Sequence, residues 1–233
     1  MVDMAVPALR RQRAPRGSGE RLRNEILDAA TELLLETGRA RAVSIRSVAE
    51  RVGITSPSIY LHFKDKDALL DAVCVRHLDQ LDEEMVRAAD GQPDSMAALR
   101  AQGLAYVRYA LQAPELYRLA TVSAERTGGV VADAMQRAVF RHVRATVQKL
   151  IDEGVFRADS PGAVALALMT AAHGVATVLI AKPQAAVRWI DAFTDRMFGA
   201  VLCGHLVAGM VGPEATSQQM LEWVRQHRGS AEA

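Results

Sequence analysis

Cysteine is almost missing from this chain of 233 residues, with Cys74 and Cys203 its two examples. A disulfide framework and a cysteine-rich metal cluster are excluded on that count, so an ordinary hydrophobic core has to hold the fold. A large charge of one sign is missing too, because the formal net charge is +1. With 50% hydrophobic and 24% charged residues the composition is globular, which excludes wholesale disorder and a fibrous repeat. No segment alternates apolar and polar residues with period two, and Gly, Asn and Pro do not cluster at hairpin spacing, so a β-sheet has nothing to be built from. The G-x-S-x-G, Walker, H-E-x-x-H and dinucleotide-binding glycine patterns are absent, and neither catalysis nor a cofactor nor a metal is expected. The first residues also lack an apolar run before a small-residue cleavage site, which points to a reduced, cytoplasmic location.

What is present is helical periodicity. Leu22, Ile26, Ala29, Ala30, Leu33 and Leu34 recur at three- and four-residue steps, predicting a first helix from about Gly19 to Thr37 with Gly38 as its left-handed stop. Ser44 reads as the N-cap of a short second helix carrying Ile45, Val48, Ala49 and Val52 before Gly53. Thr55 as a cap, followed by Ser56 and Pro57, starts a third helix that runs to about His62. Asp65 caps a long fourth helix with Leu69, Leu70, Val73, His77, Leu78, Leu81 and Met85 as its stripe. Proline and glycine signals bound further helices at about 94–112, 114–123, 129–153, 161–181 and 185–210. The expected fold is all-α, with about nine helices. Gly162 to Ala181 is uncharged and as long as a membrane span. Its many alanines, a central His173 beside Gly174 and the lack of basic flanks favour a helix buried on nearly all faces by protein.

The near-zero net charge hides an asymmetry. Residues 1–66 hold 12 Lys+Arg against 8 Asp+Glu, and residues 67–233 hold 16 against 19. Arg10, Arg11, Arg13, Arg16, Arg21 and Arg23 crowd the front, opposed there by Asp3 and Glu20, so a polyanion partner is the first hypothesis for this end. The alternative is a solvated tail, and Pro7, Pro15, Gly17, Ser18 and Gly19 predict a disordered arm under either reading.

Two short helices joined by a tight glycine turn make a helix-turn-helix, and Ser44 to Lys66 (SIRSVAERVGITSPSIYLHFKDK) has its chemistry. A recognition helix needs small polar side chains toward base edges, donors toward phosphates and apolar anchors behind. Ile59 and Phe63, four apart, supply the anchors and leave Thr55, Ser56, Ser58, Tyr60 and His62 facing outward. These residues resemble the tetracycline-repressor (TetR) family of bacterial transcription regulators. The resemblance is carried by Arg23, Ile26, Leu27, Ala29, Ala30, Leu33 and Gly38 in the first helix. It continues through Ser44, Val48, Ala49, Val52, Gly53, Ile54, Thr55, Ile59, Tyr60, His62, Phe63, Lys66, Leu69 and Leu70. Two positions depart from the family pattern: Leu34 replaces the usual phenylalanine, and the link from Gly38 to Ser44 is one residue longer, with Arg39 in place of an aromatic.

The resemblance implies an N-terminal three-helix DNA-binding domain, over 19–66 after a basic arm at 1–18. It implies that Ser44 and Tyr60 bond phosphates, that Arg46, Thr55, Ser56, Pro57 and Ser58 meet bases or the groove wall, that His62 lies near the backbone, and that Lys66 reaches a phosphate. For Tyr60 and His62 the alternative is that they cap the turn into the fourth helix. A C-terminal ligand-binding and dimerisation domain follows over 67–211, with a tail at 212–233. Tyr106 to Leu119 and the Ala172-His173-Gly174 step are similar to the WHG-like regulatory C-terminal domains of this family. That implies a pocket for a small-molecule effector, with Tyr106, Tyr109, Tyr117, Met135, Phe140, His142, Met169 and His173 as candidate lining, mainly apolar, the alternative for any single one of them being an ordinary packed core residue. Family members pair through their last two long helices, and helix eight with Gly174 and helix nine with Ile190, Phe193, Met197, Ala200, Val201, Gly204, Val207 and Ala208 show seam spacing. An ordinary intramolecular core is the alternative for those stripes. Asp71, Cys74 and His77 recur every three residues on the fourth helix, too few ligands for a metal, and His77 reads as a packed structural histidine. The function implied is a homodimeric, ligand-released repressor binding a palindromic DNA operator, and the other class to weigh is an enzyme or carrier using the same pocket.

Overall fold

A computed structural model describes residues 18–124, 129–156, 160–182, 189–212 and 214–227. The arginine-rich arm expected over 1–18 lies outside them except for Ser18, which opens the first helix. The helices are α1 (Ser18–Thr37), α2 (Ile45–Val52), α3 (Ser56–Tyr60), α4 (Lys66–Ala89), α5 (Ser95–Gln112), α6 (Pro114–Ala124), α7 (residues 130–152), α8 (Pro161–Ala181), α9 (Ile190–Val211) and α10 (Ser217–His227). No strand occurs among the described residues. The chain divides into two compact units between Val73 and Cys74, inside α4.

In the first unit α1 packs on α2 and α2 on α3. Ile26, Leu27, Ala30, Leu34, Val43, Val48, Ile59 and Leu69 are its buried centre. Leu34 fills the place where an aromatic was expected, and the longer link folds into a 3-10 turn, Ala40–Ala42, that delivers Val43 into the core. Ser44 caps α2 as its type demands: its hydroxyl accepts from Ser47 N–H at 3.0 Å, while Ser44 N–H donates to Ser47 Oγ at 3.0 Å. Gly53 closes α2 at φ 73°, a left-handed value that costs a side chain dearly. Asp65 caps α4, accepting from Ala68 N–H at 2.8 Å. Two details differ from the sequence expectation. Thr55 makes no side-chain bond to the α3 backbone, because its hydroxyl lies 3.0 Å from Ser58 Oγ instead. The third helix ends at Tyr60 rather than His62, where His62 and Phe63 N–H both donate to the Ile59 carbonyl and tighten the last turn.

In the second unit α5 packs on α7, α8 and α9, α8 packs on α7 and α9, α6 lies against the start of α7, and α10 contacts α9. Leu99, Tyr106, Val107, Val143, Val147, Leu150, Leu168, Ala172, Val175, Phe198 and Leu202 belong to one core. Asp94 caps α5, accepting from Ala97 N–H at 2.7 Å. α5 and α9 approach closely at Gly103, where a Cβ would overlap the Phe198 ring. Within α7 the α segments Val130–Met135 and Arg141–Asp152 flank a π-helical stretch, Gln136–Phe140, that the periodicity of the sequence did not signal. α9 is described from Ile190, and the start expected at about 185 lies with residues 183–188 outside the described ones.

α8 is not buried on nearly all faces, which corrects the expectation. By length and composition it could cross a membrane. In the fold it buries one side through Val164, Leu168, Ala172, Val175 and Leu179, while Leu166, Thr170, Gly174, Thr177, Val178 and Ala181 form an exposed stripe. An uncharged sequence cannot tell a surface meant for its own core from one left apolar for another purpose. The segment read as a tail carries α10, whose residues are all at least partly exposed.

Candidate nucleic-acid interface and ligand cavity

The candidate DNA contacts come from α2, α3 and the start of α4. Ile59 and Phe63 are buried, and the Arg23 guanidinium lies 5.2 Å over the Phe63 ring, so one face of α3 is anchored to α1. The opposite face carries exposed Thr55 and Pro57, half-buried Ser56 and Ser58, and Tyr60, which is 54% exposed. Arg46 projects from α2 and its Nε donates to Glu50 Oε1 at 2.8 Å, an ion pair that holds the guanidinium charged and that any base contact must compete with. Ser44 is exposed at the start of α2, and Lys66 Nζ donates to the Arg41 carbonyl at 3.4 Å. His62 is half-buried, its ring beside Gly19 in the first turn of α1.

Two residues the sequence reading passed over belong to this description. Leu61 is 85% exposed next to Tyr60, on the side of the turn away from Ile59 and Phe63. An apolar side chain held in water there has the chemistry to meet a thymine methyl group. The signal was its phase, two residues out of step with both anchors. Arg51 bonds Glu36 through both guanidinium nitrogens, at 2.9 and 2.7 Å, and Glu32 at 3.1 Å, tying α2 to α1. That hydrogen bonding holds the Glu36 carboxyl below its ordinary value. Such a link between helices far apart in sequence leaves no local pattern.

The second unit contains two adjoining apolar clefts open to the surface, of about 230 and 280 Å³, which share Thr121 and His173 and are bordered by the exposed Val122 and Leu166. Of the candidate lining residues, Tyr117 and His173 border the smaller, and Tyr106, Met135, Phe140, Met169 and His173 the larger. Tyr109 and His142 are placed elsewhere. Tyr109 hydroxyl sits 3.2 Å from His77 Nδ1, and burial, with Glu84 and Glu83 nearby, pushes this phenol up to about 12. His142 Nε2 is 2.7 Å from Asp82 Oδ1 and borders a separate, more polar groove. Asp71, Cys74 and His77 do not form a metal cage, and no cluster of three such groups occurs among the described residues. Cys74 is buried in the core instead.

A helix-turn-helix unit followed by a helical unit with adjoining apolar clefts defines a class, the one-component DNA-binding regulators. Residues 26–73 match the family of bacterial regulatory proteins of tetR type, and residues 99–201 match the tetracyclin repressor-like C-terminal domain. The chain belongs to the TetR family of transcriptional regulators. It is 46% identical over 56 residues to the class D tetracycline repressor protein of Escherichia coli, covering 24% of this chain and 25% of that one. It is 33% identical over 128 residues to the transcriptional activator FasR of Mycolicibacterium smegmatis, covering 51% of this chain and 58% of the relative. The chain thus matches between a quarter and somewhat over half the length of these relatives. Its fold is similar to that of a TetR-family transcriptional regulator from Pectobacterium atrosepticum, with a TM-score of 0.67, 25% identity, and coverage of 83% of this chain and 98% of that one.

Proposed function

We propose that this chain is a cytoplasmic, ligand-released repressor that binds a palindromic operator as a homodimer. The observation that carries the reading is α3, anchored by Ile59 and Phe63 and presenting Thr55, Ser58, Tyr60 and Leu61 outward. In this reading residues 19–66 read DNA after a basic arm at 1–18, and residues 67–211 bind effector and dimerise, with a short C-terminal segment after them. Ser44, Tyr60 and Lys66 position the protein on phosphates, with His62 near the backbone, while Arg46, Thr55, Ser56, Pro57 and Ser58 meet bases or the groove wall. Dimerisation through α8 and α9 is supported by Gly174 and Gly204. A Cβ at either would enter open space, so the single chain has no steric need for a residue that weakens a helix by about 1 kcal/mol relative to alanine. The seam would place paired half-sites about 34–36 Å apart, or a multiple of that. The effector is a mainly apolar small molecule held in the paired clefts, whose α8 border of Leu166, Thr170, Thr177 and Ala181 adjoins the proposed seam, so that a partner protomer would close them from outside. Its release of DNA is reciprocal, so operator DNA must weaken effector binding by the same factor.

The test is a titration of cognate and scrambled duplexes at two salt concentrations. Tyr60→Phe and Lys66→Ala are expected to weaken binding to both duplexes alike, and loss of the lysine to reduce the salt slope by about one unit. Arg46→Ala and Ser58→Ala are expected to relax preference at particular base pairs by roughly 1–3 kcal/mol. Footprinting should give paired half-sites. A single half-site bound by monomer, or a Tyr60→Phe protein with altered base preference, would overturn the assignment.

A further inference from the structure

The wall between the two apolar clefts carries a row of hydrogen bonds. Tyr106 and Tyr117 hydroxyl oxygens are 3.1 Å apart, and Tyr117 hydroxyl is 2.5 Å from His173 Nδ1. Burial raises both phenols, so each keeps its proton. The order of those protons follows from the inner end. Tyr106 is buried and its hydroxyl has Tyr117 as its one hydrogen-bond partner among the described residues, so its proton can be satisfied there alone. Tyr117, whose hydroxyl also has Thr177 beside it, then donates onward to His173 Nδ1, the acceptor 2.5 Å away, and the imidazole carries its own proton on Nε2. The reverse order strands a buried phenolic proton.

His173 Nε2 has Thr177 Oγ1 at 3.5 Å, the long limit of a hydrogen bond, and the ring borders both clefts. A donor with a weak partner is therefore held in a wall that is mostly apolar, through Val122, Ile180, Met135, Phe140 and Met169, with Arg118 at its border as the one cation among the lining residues. We propose that His173 Nε2–H reads a hydrogen-bond-accepting oxygen on an otherwise apolar effector, with Tyr106 and Tyr117 as positioning residues that fix the tautomer. The shared chemistry is an oxygen acceptor on an aromatic or aliphatic body, supplied by a neutral carbonyl or by a carboxylate. The inference rests on the effector-cavity reading above and names the group that the cavity selects.

Acetophenone and α-methylstyrene have one shape and differ by an oxygen in place of a methylene, which makes them the probes for calorimetric titration of the full chain. Acetophenone is expected to bind about 3- to 10-fold more tightly, the range of one net hydrogen bond. His173→Leu should erase that preference while α-methylstyrene still binds, and His173→Gln, which keeps a donor, should restore part of it. Tyr117→Phe should reduce the preference without touching α-methylstyrene affinity, an effect that loss of packing would not produce. Benzoate as a third probe separates the two sources: tighter binding than acetophenone assigns the oxygen to a carboxylate, weaker binding to a neutral carbonyl. Equal affinity for the isosteric pair, or a preference that survives His173→Leu, overturns the donor and leaves the cavity standing. If none of the probes binds, the cavity reading falls with it.

Discussion

His77 shows how burial of one side chain becomes a property of the whole fold. It is 5% exposed on α4, with its ring 4.6 Å from that of Tyr109. Burial pulls its imidazole down to about 4 from the ordinary 6.5. Below about pH 6.5 the unfolded chain therefore takes up a proton that the folded chain refuses until about pH 4, so stability must fall as pH drops through that window. A gap of this size is worth up to about 3 kcal/mol from this one group. His77→Gln, which can still bond Tyr109, should flatten the loss between about pH 6.5 and 4 when urea unfolding of the two proteins is compared. Parallel stability curves would show that the ring is not protonated on unfolding. Much of the residue scale was legible in sequence: His77 falls on the stripe of Leu69, Leu70, Val73 and Leu78, so its burial followed from phase. Its bond to Tyr109, 32 positions on, had no local signature, and neither did the division of the pocket candidates that sends Tyr109 and His142 away from the paired clefts.

At the scale of elements, the first unit was read nearly to the residue because its boundaries are made of local chemistry. Ser44, Gly53, Pro57 and Asp65 each have a cap or turn requirement that a few neighbouring residues decide. The π-helical stretch Gln136–Phe140 in α7 has no such local marker and was not legible in the sequence. The contact of α5 with α9 is of the second kind. Gly103 sits on a buried face between Leu99 and Val107, where alanine would be the better helix former, and only the Phe198 ring explains its absence. Gly103→Ala should gain helix propensity yet lose more by overpacking, for a net destabilisation of about 1–3 kcal/mol measured by chemical denaturation. Pairing it with Phe198→Leu should return part of the loss, because the smaller side chain makes room for the Cβ. If Gly103→Ala stabilises the protein, the two helices are not as close as described.

At the scale of the molecule, the apolar surface of α8 and α9 is the feature that a single chain does not account for. Both stripes are legible in the sequence, but whether they face inward or outward is not, since α8 carries no charge and α9 carries its charges, Asp191, Asp195 and Arg196, only in its first two turns. In the fold α8 leaves Leu166, Thr170, Gly174, Thr177, Val178 and Ala181 uncovered, and α9 leaves Met197, Ala200, Cys203, Gly204 and Met210. Glycine on such a face lets two backbones come near. Because nothing lies within 4 Å of a Cβ built at Gly204, Gly204→Glu has no clash within the chain and should leave the monomer folded, with circular dichroism unchanged. In a close helix pair the same substitution buries two like charges near the two-fold axis with no partner, which is strongly unfavourable. Sedimentation should then report monomer where the parent protein is dimeric. Operator affinity should fall sharply, because each protomer keeps one reader but loses the gain from binding two half-sites at once. Gly53→Ala serves as the comparison, since it strains the φ 73° turn of the reader and should lower DNA affinity without changing the oligomeric state. A Gly204→Glu protein that stays dimeric and binds operator as before would move the interface away from this face.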